Sequence, residues 1–481
     1  MVTAHLERED KYEVDSTFVL PDPADLLLPA GHVETAELRL ESEYFDTERG
    51  DLHRLGLTLR RRTGDADVGW QLKVPAADGR MEIRSRSRSR SVPAALAQPL
   101  AGVTRGQELR SVATITTTRT VTRLLDGSGQ LLAEIADDRV QSVRAGEAAT
   151  LDTWREVEVE LGPAGDQELL SILGQRLTDV GARPSPDTSK LRRALGSAAS
   201  SADRQEEGTL GQLIDDYLQQ QYTAIALGDL GLRLSQPMVH ATRVALRRLR
   251  STLRTFGSVF DAERVAELDA EVVWFANLLG EVRDRDILIA RLAAKVAELP
   301  PEYVLGPVAA TIESTLSVER SDHLEAVATG MASERYRQLL DLLDAWRTAP
   351  PLTAEATQPA AEAADHLKKA KRKLDRRLRS AGGDVAALHR ARKAGKRFRY
   401  AAELAAPVLG KKASKSVRHG KKLQKRLGEH QDSVVSAAFL LKLGTTMGTR
   451  AGHNGLTYGI LLAGEWHTAE RIRAKLRIDT R

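Results

Sequence analysis

Near the N-terminus, charged side chains recur at every second position. Glu7, Glu9 and Lys11 lie in the segment HLEREDKYEVD, which alternates as a strand does. Because side chains two residues apart share one face of a strand, two carboxylates and an amine would point the same way. Carboxylates are ligands for hard divalent cations, and an amine binds phosphate oxygens. A solvated outer face is the simpler explanation of such charges.

Further segments repeat this alternation and favour an inward-facing charged surface. In several of them the opposite face is apolar, as at Val157 and Val159. An apolar face needs a core, and helices packed outside a sheet supply one, so the charged face would line a lumen. The charged residues in phase within their strands, or set in otherwise apolar or hydroxyl-rich strands, are Arg60, Arg62, Lys73, Glu82, Arg84, Arg119, Glu156, Glu158 and Glu160.

A lumen lined by both acids and bases suits one kind of ligand. Lys and Arg would bind phosphate oxygens, and Arg can do so with two parallel hydrogen bonds. Carboxylates would repel a phosphate chain unless a divalent cation lay between them. The bases therefore predict a phosphate ligand, and the paired acids predict Mg²⁺ or Mn²⁺.

Two kinds of secondary structure divide the chain. To about residue 195 it reads as short, alternating strands with a few helices, which predicts an antiparallel, closed or nearly closed β-barrel. The small polar stretch GSAASSADRQEEG follows, and the rest has helical spacing. We expect an α+β two-domain protein, with a barrel domain at 1–196, a linker at 197–208 and an all-α domain at 209–478.

The helical part contains two matching pieces. HATRVALRRLR begins at His240 and HRARKAGKRFR at His389, while LGEVRD begins at Leu279 and LGEHQD at Leu427. Two matched landmarks at nearly equal separation predict an internal duplication. The repeat halves would span about 209–348 and 360–478.

Each repeat carries a stripe of bases along one helix face. His240, Arg243, Arg247 and Arg250 follow a three-four-three spacing, and the stripe that begins at His389 repeats it. Like charges stacked in this way destabilise a helix, so either acidic neighbours or a bound polyanion must offset them. The stretch 365–427 has 22 Lys and Arg against four Asp and Glu, which favours the polyanion.

The composition excludes several classes of protein. The chain has no cysteine, which removes disulfides, thiolate metal sites and cysteine nucleophiles. Early charges and short apolar runs predict no signal peptide and no membrane span, hence a cytoplasmic protein. Aromatic residues make up 4% of the chain, so base-stacking surfaces are scarce and a nucleic-acid partner is disfavoured.

The first part of the sequence resembles the CYTH domains, the triphosphate tunnel metalloenzymes. EREDK matches their ExExK signature, and LRRR, WQLK, TTTR, AEIADDRV, EVEVEL and TSKLRRAL follow in the family's order. The resemblance implies metal ligands at Glu7, Glu9, Asp138, Glu156 and Glu158. It implies triphosphate-binding residues at Lys11, Arg60, Arg62, Lys73, Arg119 and Lys190. We add Arg84 to this set, because it lies two residues from Glu82 and shares its strand face. Of these, Glu7, Glu9, Lys11 and Lys73 would carry catalysis. Asp137 could replace Asp138, and Glu160 shares the face of Glu158.

The second part resembles the CHAD domains through VHATRVALRRLRSTLRTF, LGEVRDRD and LHRARKAGKRFRY. The resemblance implies two four-helix bundles facing each other across a basic channel. It also narrows the polyanion to inorganic polyphosphate. The expected polyphosphate-binding residues are His240, Arg243, Arg247, Arg250, His389, Arg392, Lys393, Lys396, Arg399, Lys421 and Lys425.

Together these features predict a metal-dependent hydrolase of inorganic triphosphate joined to a polyphosphate-binding domain. That domain would deliver chains to the tunnel or hold the enzyme at polyphosphate granules. One alternative is a non-catalytic protein that binds polyphosphate and targets granules. Another is a hydrolase of an organic triphosphate, for which Trp70 and Tyr44 are the candidate aromatic surfaces.

Overall fold

The computed structural model describes residues 2–27, 30–76, 79–144, 150–187, 189–196, 208–382 and 384–478. These residues form two compact units, which divide at about Ser200. The expected linker at 197–208 lies, apart from its last residue, outside the described residues. The two units are described separately below.

The N-terminal unit is built on one antiparallel sheet of ten strands. Its strands are β1 (Val2–Glu7), β2 (Glu9–Val14), β3 (His32–Asp46), β4 (Thr58–Gly64), β5 (Gly69–Ala76), β6 (Gly79–Ser85), β7 (Arg110–Leu125), β8 (Leu131–Arg144), β9 (Thr150–Leu161) and β10 (Arg183–Pro184). Its helices are α1 (Asp51–Arg54), α2 (Ala94–Ala97), α3 (Ala101–Thr104), α4 (Gln167–Asp179) and α5 (Lys190–Leu195).

The hydrogen-bonded order of the sheet is open. It runs β1-β6-β5-β4-β3-β7-β8-β9-β2-β10, so of the two expected forms, closed or nearly closed, strand pairing does not give the closed one. The reason lies at Arg8, which alone separates β1 from β2. The run of chain before Arg8 pairs with β6 and the run after it pairs with β9. The carbonyl of Arg8 accepts a 3.0 Å hydrogen bond from the amide of Leu161. Arg8 is therefore a covalent seam between two regions of the sheet.

The apolar face of the sheet packs outward against helices. Val157 and Val159 of β9 are fully buried together with Leu170 and Leu173 of α4. Asp166 begins this helix, and its carboxylate accepts from the amide of Leu169, which satisfies one of the free N–H groups there. Because one face of β9 is covered in this way, its alternate residues point to the opposite face.

The C-terminal unit is helical. Its elements are α6 (Leu210–Arg233), α7 (Val239–Thr255), α8 (Ala262–Ala297), α9 (Val308–Met331), α10 (Glu334–Thr348), α11 (Ala363–Arg379), α12 (Val385–Leu404), α13 (Ala406–Met447) and α14 (Gly455–Ile478). Among the helices that the structure describes, none is both long enough and apolar enough to cross a membrane.

The packing of these helices places the two matched segments side by side. α7 carries the first segment and α12 the second, and the two helices are in contact. Leu246 and Leu249 of α7 share a buried core with Phe398 of α12. The internal duplication and the division into two four-helix bundles remain predictions.

Candidate functional site

Strand register assembles one charged face in the N-terminal unit. Lys11 lies opposite Glu158 across β2 and β9. Arg119 lies opposite Asp138 across β7 and β8. Directly opposed residues of an antiparallel pair project to the same side. The charged residues expected on one face therefore do share it.

This face surrounds a cavity of about 330 Å³. Nine Lys and Arg side chains line it against six Asp and Glu, so the lining has an excess of positive charge that favours an anionic ligand. The charged lining residues are Glu7, Glu9, Lys11, Arg60, Arg62, Asp67, Lys73, Arg80, Arg84, Arg119, Arg123, Glu134, Glu158, Glu160 and Lys190. The expected residues Asp138 and Glu156 are outside the lining.

Asp138, Glu156 and Glu158 form a buried acidic cluster, with one oxygen of each within 4.8 Å of the others. Lys190, the first residue of α5, reaches into it. The ammonium Nζ lies 2.9 Å from Asp138, 2.6 Å from Glu156 and 2.7 Å from Glu158. The cluster offers only hard oxygen donors, which fit Mg²⁺ or Mn²⁺. In this structure the ammonium group of Lys190 contacts all three carboxylates.

Arg119 and Lys11 complete the surroundings of this cluster. Arg119 donates to both oxygens of Asp138, at 2.7 and 2.6 Å, and to Glu158 at 2.7 Å. Lys11 donates to Glu158 and lies 3.3 Å from Glu9. Burial opposes ionisation of Glu158, but Lys11, Lys190 and Arg119 together hold its pKa well below the usual range. Glu158 is therefore ionised whenever these cations surround it.

A second group of carboxylates lines the cavity itself. Glu7 is buried and lies 2.6 Å from Lys73. Glu9 lies opposite Glu160 across β2 and β9. Burial and the charge of Glu7 raise the pKa of Glu160 to about 7. Carboxylates that crowd each other in this way favour a cation among them.

The part of the cavity wall formed by β4 is basic. Arg60 donates to Gln71 at 2.6 Å and to the Tyr44 hydroxyl at 3.2 Å. Arg62 donates to the Ser42 hydroxyl at 3.3 Å. Burial and the neighbouring Arg60 and Arg119 lower the pKa of Arg62 to about 10. This wall thus holds guanidinium groups that repel one another.

Arg84 lies at the edge of the cavity and is 39% exposed. It donates to Glu82 and, at 2.7 Å, to Asp67. Arg84 therefore points towards the cavity, as expected, and its guanidinium is hydrogen-bonded to Glu82 and Asp67.

The structure also distinguishes the two aspartates of the ADD segment. Asp138 faces inward to Arg119, whereas Asp137 points to the other face and pairs with Arg155 at 2.9 and 2.7 Å. Sequence reasoning missed Arg123 and Glu134, which line the cavity and pair at 3.0 Å. Their even spacing from Arg119 and Asp138 was a usable signal, because it puts them on the same strand faces.

In the C-terminal unit, the two basic stripes meet between α7 and α12. Arg243 and Arg247 of α7 approach Arg392 and Lys396 of α12, and we call these four residues the basic cluster. Burial, followed by Arg392, Arg247 and Arg243, lowers the pKa of Lys396 to about 6. The two stripes therefore adjoin each other where α7 and α12 pack together.

Acidic neighbours offset part of this charge. Arg243 lies 3.3 Å from Asp284, and Arg250 lies 2.8 Å from Asp269. On α12, Arg399 donates to Glu403 at 2.8 Å. The simpler explanation of the stripes, acids on neighbouring helices, thus applies to Arg243 and Arg250, whereas Arg399 pairs within its own helix. Within the described residues, Arg392 and Lys396 make no ion pair shorter than 4 Å.

The remaining expected residues are spread around this cluster. His389 forms a 3.0 Å hydrogen bond through Nδ1 with the side-chain oxygen of Gln431. The His240 side chain is exposed at the start of α7, and partial desolvation, followed by Arg283, lowers its pKa. Lys393, Lys421 and Lys425 are exposed on α12 and α13.

Comparisons with known sequences find one domain family in each unit. The CYTH domain model matches residues 9–195, and the CHAD domain model matches residues 216–441. Two uncharacterized proteins from two strains of Mycobacterium tuberculosis are 32% identical to this chain over 499 residues. Each alignment covers 99% of this chain and 96% of the relative.

Two solved structures illustrate the separate units. The CHAD domain from the plant Ricinus communis is 26% identical, with a TM-score of 0.45, and covers 56% of this chain and 92% of its own. A putative adenylate cyclase from Bacillus halodurans is 18% identical, with a TM-score of 0.30, and covers 40% of this chain and 98% of its own. Such low scores add nothing to the family matches. The sequence matches show that this chain belongs to the CYTH and CHAD families, with a CYTH domain followed by a CHAD domain.

Proposed function

We propose that the CYTH domain hydrolyses inorganic triphosphate with Mg²⁺ or Mn²⁺, and that the CHAD domain binds inorganic polyphosphate. CYTH proteins are triphosphatases or cyclases, and CHAD domains are associated with polyphosphate. The cavity residues of this chain support the narrower assignment.

One observation carries the proposal for the CYTH domain. Arg62 is 7% exposed, yet its nearest carboxylate partner, Asp67, is 3.6 Å away. Arg60 and Arg119 lie beside it and lower its pKa. A buried guanidinium among like charges is stabilised by an anion, and phosphate oxygens suit its paired N–H groups. The basic wall therefore favours a phosphate chain.

The acids of β1, β2, β8 and β9 would hold the cation. We propose Glu7, Glu9, Asp138, Glu156 and Glu158 as the metal-binding set, of which Glu7, Glu9 and Glu158 line the cavity. When bound, the cation supplies charge neutralisation between these carboxylates and the phosphates, and activation of water.

The bases would position the chain. Lys11 and Lys73 lie beside the acids, while Arg60, Arg62, Arg84, Arg119 and Lys190 are the other proposed contacts with phosphate. Phosphoanhydride hydrolysis depends mainly on positioning and charge neutralisation, so no protein nucleophile is required.

The cavity favours an unadorned phosphate chain over an organic triphosphate. Trp70 is fully buried and packs against Phe45, with ring centroids 4.8 Å apart, so it offers no surface to a base. Tyr44 lines the cavity, but its hydroxyl accepts from Arg60.

The test compares phosphate release from tripolyphosphate by the wild type, Arg62→Gln and Arg61→Gln. Arg61 is the matched control, because it lies on the other strand face, 3.4 Å from Glu43. We expect metal-dependent release, a KM at least about tenfold higher in Arg62→Gln, and little change in Arg61→Gln. Absence of release from any triphosphate would favour the non-catalytic protein. Faster release from an organic triphosphate would favour the other alternative.

The basic cluster supports polyphosphate binding by the CHAD domain. The Arg392 guanidinium and the Lys396 amine are partly buried and make no ion pair among the described residues, and Arg243 and Arg247 lie near them. Such a domain would also hold the enzyme at polyphosphate granules. Competition between long-chain polyphosphate and DNA at equal phosphate concentration tests the assignment. Preference for DNA would overturn it.

A further inference from the structure

Lys396 lies among cations on two helices. From α7 it is approached by Arg243 and Arg247, and from its own helix by Arg392 and His389. The Arg247 guanidinium is held in position because its Nε donates a 2.9 Å hydrogen bond to the Tyr400 hydroxyl. The lysine amine is therefore surrounded by fixed positive charge.

The acids near Lys396 are too few or already bound. Asp284 of α8 pairs with Arg243 at 3.3 Å. Asp432 of α13 interacts more strongly with Arg392 than with Lys396. Neither comes within 4 Å of the Lys396 amine in the part of the chain that the structure describes.

The other helices packed on α12 leave this balance unchanged. From α11, Lys373 lies beside Arg397. From α6, Tyr217 lies beside Glu403, farther along α12. Burial and the three neighbouring guanidinium groups are thus the main influences on the amine.

An amine in this position differs from its arginine neighbours in one respect. Guanidinium groups stay charged at any physiological pH, whereas a lysine amine can release its proton. The pKa of Lys396 falls to about 6, so in the free protein the amine is mostly neutral near pH 7. A phosphate chain bound to Arg243, Arg247 and Arg392 would neutralise the positive charges that lower the pKa of Lys396.

We propose that phosphate-chain binding by the CHAD domain is coupled to the uptake of a proton by Lys396. This inference rests on the proposed polyphosphate binding and adds a regulation of the same site. The bound anion favours the ammonium form, so each binding event takes one proton from solvent. By linkage, the affinity strengthens as the pH falls.

The experiment is isothermal titration calorimetry of the full chain with long-chain polyphosphate, in the presence of a chelator that prevents hydrolysis. Titrations at about pH 7.5 in buffers of different ionisation enthalpy give the number of protons taken up. The wild type is compared with Lys396→Arg, which keeps the charge but cannot titrate. His240, His389 and the CYTH domain are common to both proteins, so their contributions cancel.

We expect the wild type to take up about one proton more per site than Lys396→Arg. The wild-type affinity should fall about tenfold more between pH 7 and pH 8 than that of Lys396→Arg. Lys396→Met, which removes the charge, should bind more weakly than the wild type near pH 6, and this difference should shrink as the pH rises to 9.

Equal proton uptake by the wild type and Lys396→Arg, with tight binding in both, would overturn this inference alone. Absence of polyphosphate binding by the wild type would overturn the proposed function and this inference together. The unequal pH dependence of Lys396→Met provides an independent check if the larger arginine disturbs packing.

Discussion

Arg119 and Asp138 lie directly opposite each other on β7 and β8, and the guanidinium donates to both carboxylate oxygens at 2.7 and 2.6 Å. Asp138 also contacts Lys190, and Arg119 also contacts Glu158. The pair thus belongs to a buried network in which each charge depends on several others. Removing one partner from such a network leaves another charge buried and uncompensated.

Asp138→Asn is therefore expected to destabilise the protein by about 3 kcal/mol. Asp137→Asn is the matched control, since Asp137 is the adjacent residue and pairs with Arg155 on the other face. It should cost about 1 kcal/mol. The unfolding midpoint of the full chain in urea measures both. Equal losses in the two variants would show that the inward network contributes no more than the outward pair.

Glu9→Gln tests the carboxylates that line the cavity. Glu9 faces Glu160, while Asp10 lies opposite Val159 on the other side of the strand, so Asp10→Asn is its control. We expect Mn²⁺ affinity to fall at least about tenfold in Glu9→Gln, and phosphate release to fall with it. A Mn²⁺ titration followed by electron paramagnetic resonance checks this without reference to activity. Normal Mn²⁺ affinity in Glu9→Gln would exclude Glu9 as a ligand.

Arg392→Gln should separate binding from stability in the CHAD domain. Loss of its charge is expected to weaken polyphosphate binding and to reduce the slope of log affinity against log salt by about one. Because Arg392 adjoins other cations, the free protein should be as stable or more so. Arg335→Gln is the control, since Arg335 of α10 lies outside the basic cluster and forms a 2.6 Å ion pair with Glu271 of α8. A loss of stability in Arg392→Gln without a change in salt slope would contradict a binding role.

The stability of the free protein should depend on pH through Lys396. Its pKa is lowered from 10.5 to about 6, so between these values the unfolded chain binds the additional proton. The contribution of Lys396 to the free energy of unfolding therefore rises with pH across this window. Unfolding midpoints from pH 6 to pH 9 should rise less steeply in Lys396→Met than in the wild type. Parallel curves would mean that the amine stays charged.

Strand periodicity was sufficient to predict which charged residues share a face. Glu7, Glu9 and Lys11 had to point the same way once their segment was extended, because the side-chain period of a strand is fixed at two. The ADD segment was different, since Asp137 and Asp138 occupy both phases. Only the register with β7, which sets Arg119 against Asp138, decides between them.

Tertiary contacts explain what the sequence left open. Lys190 was expected to bind phosphate, and the position of α5 also brings its amine to three carboxylates. Spacing within β9 places Glu156 and Glu158 on one face, but only the pairing of β8 with β9 adds Asp138. The helical period likewise predicted the basic stripes. The acid that meets Arg243, Asp284, comes from α8, and helix packing rather than spacing brings them together.

The seam at Arg8 has a consequence for biosynthesis. β2 spans Glu9–Val14 and is translated well before its partner β9, which spans Thr150–Leu161. Such long-range pairing is slow to form, because most of the intervening chain must be ordered first. The nascent domain thus carries an unpaired, charge-rich strand until nearly all of it has been translated. Glu9 and Lys11 therefore join the lining of the cavity only after β9 has been made.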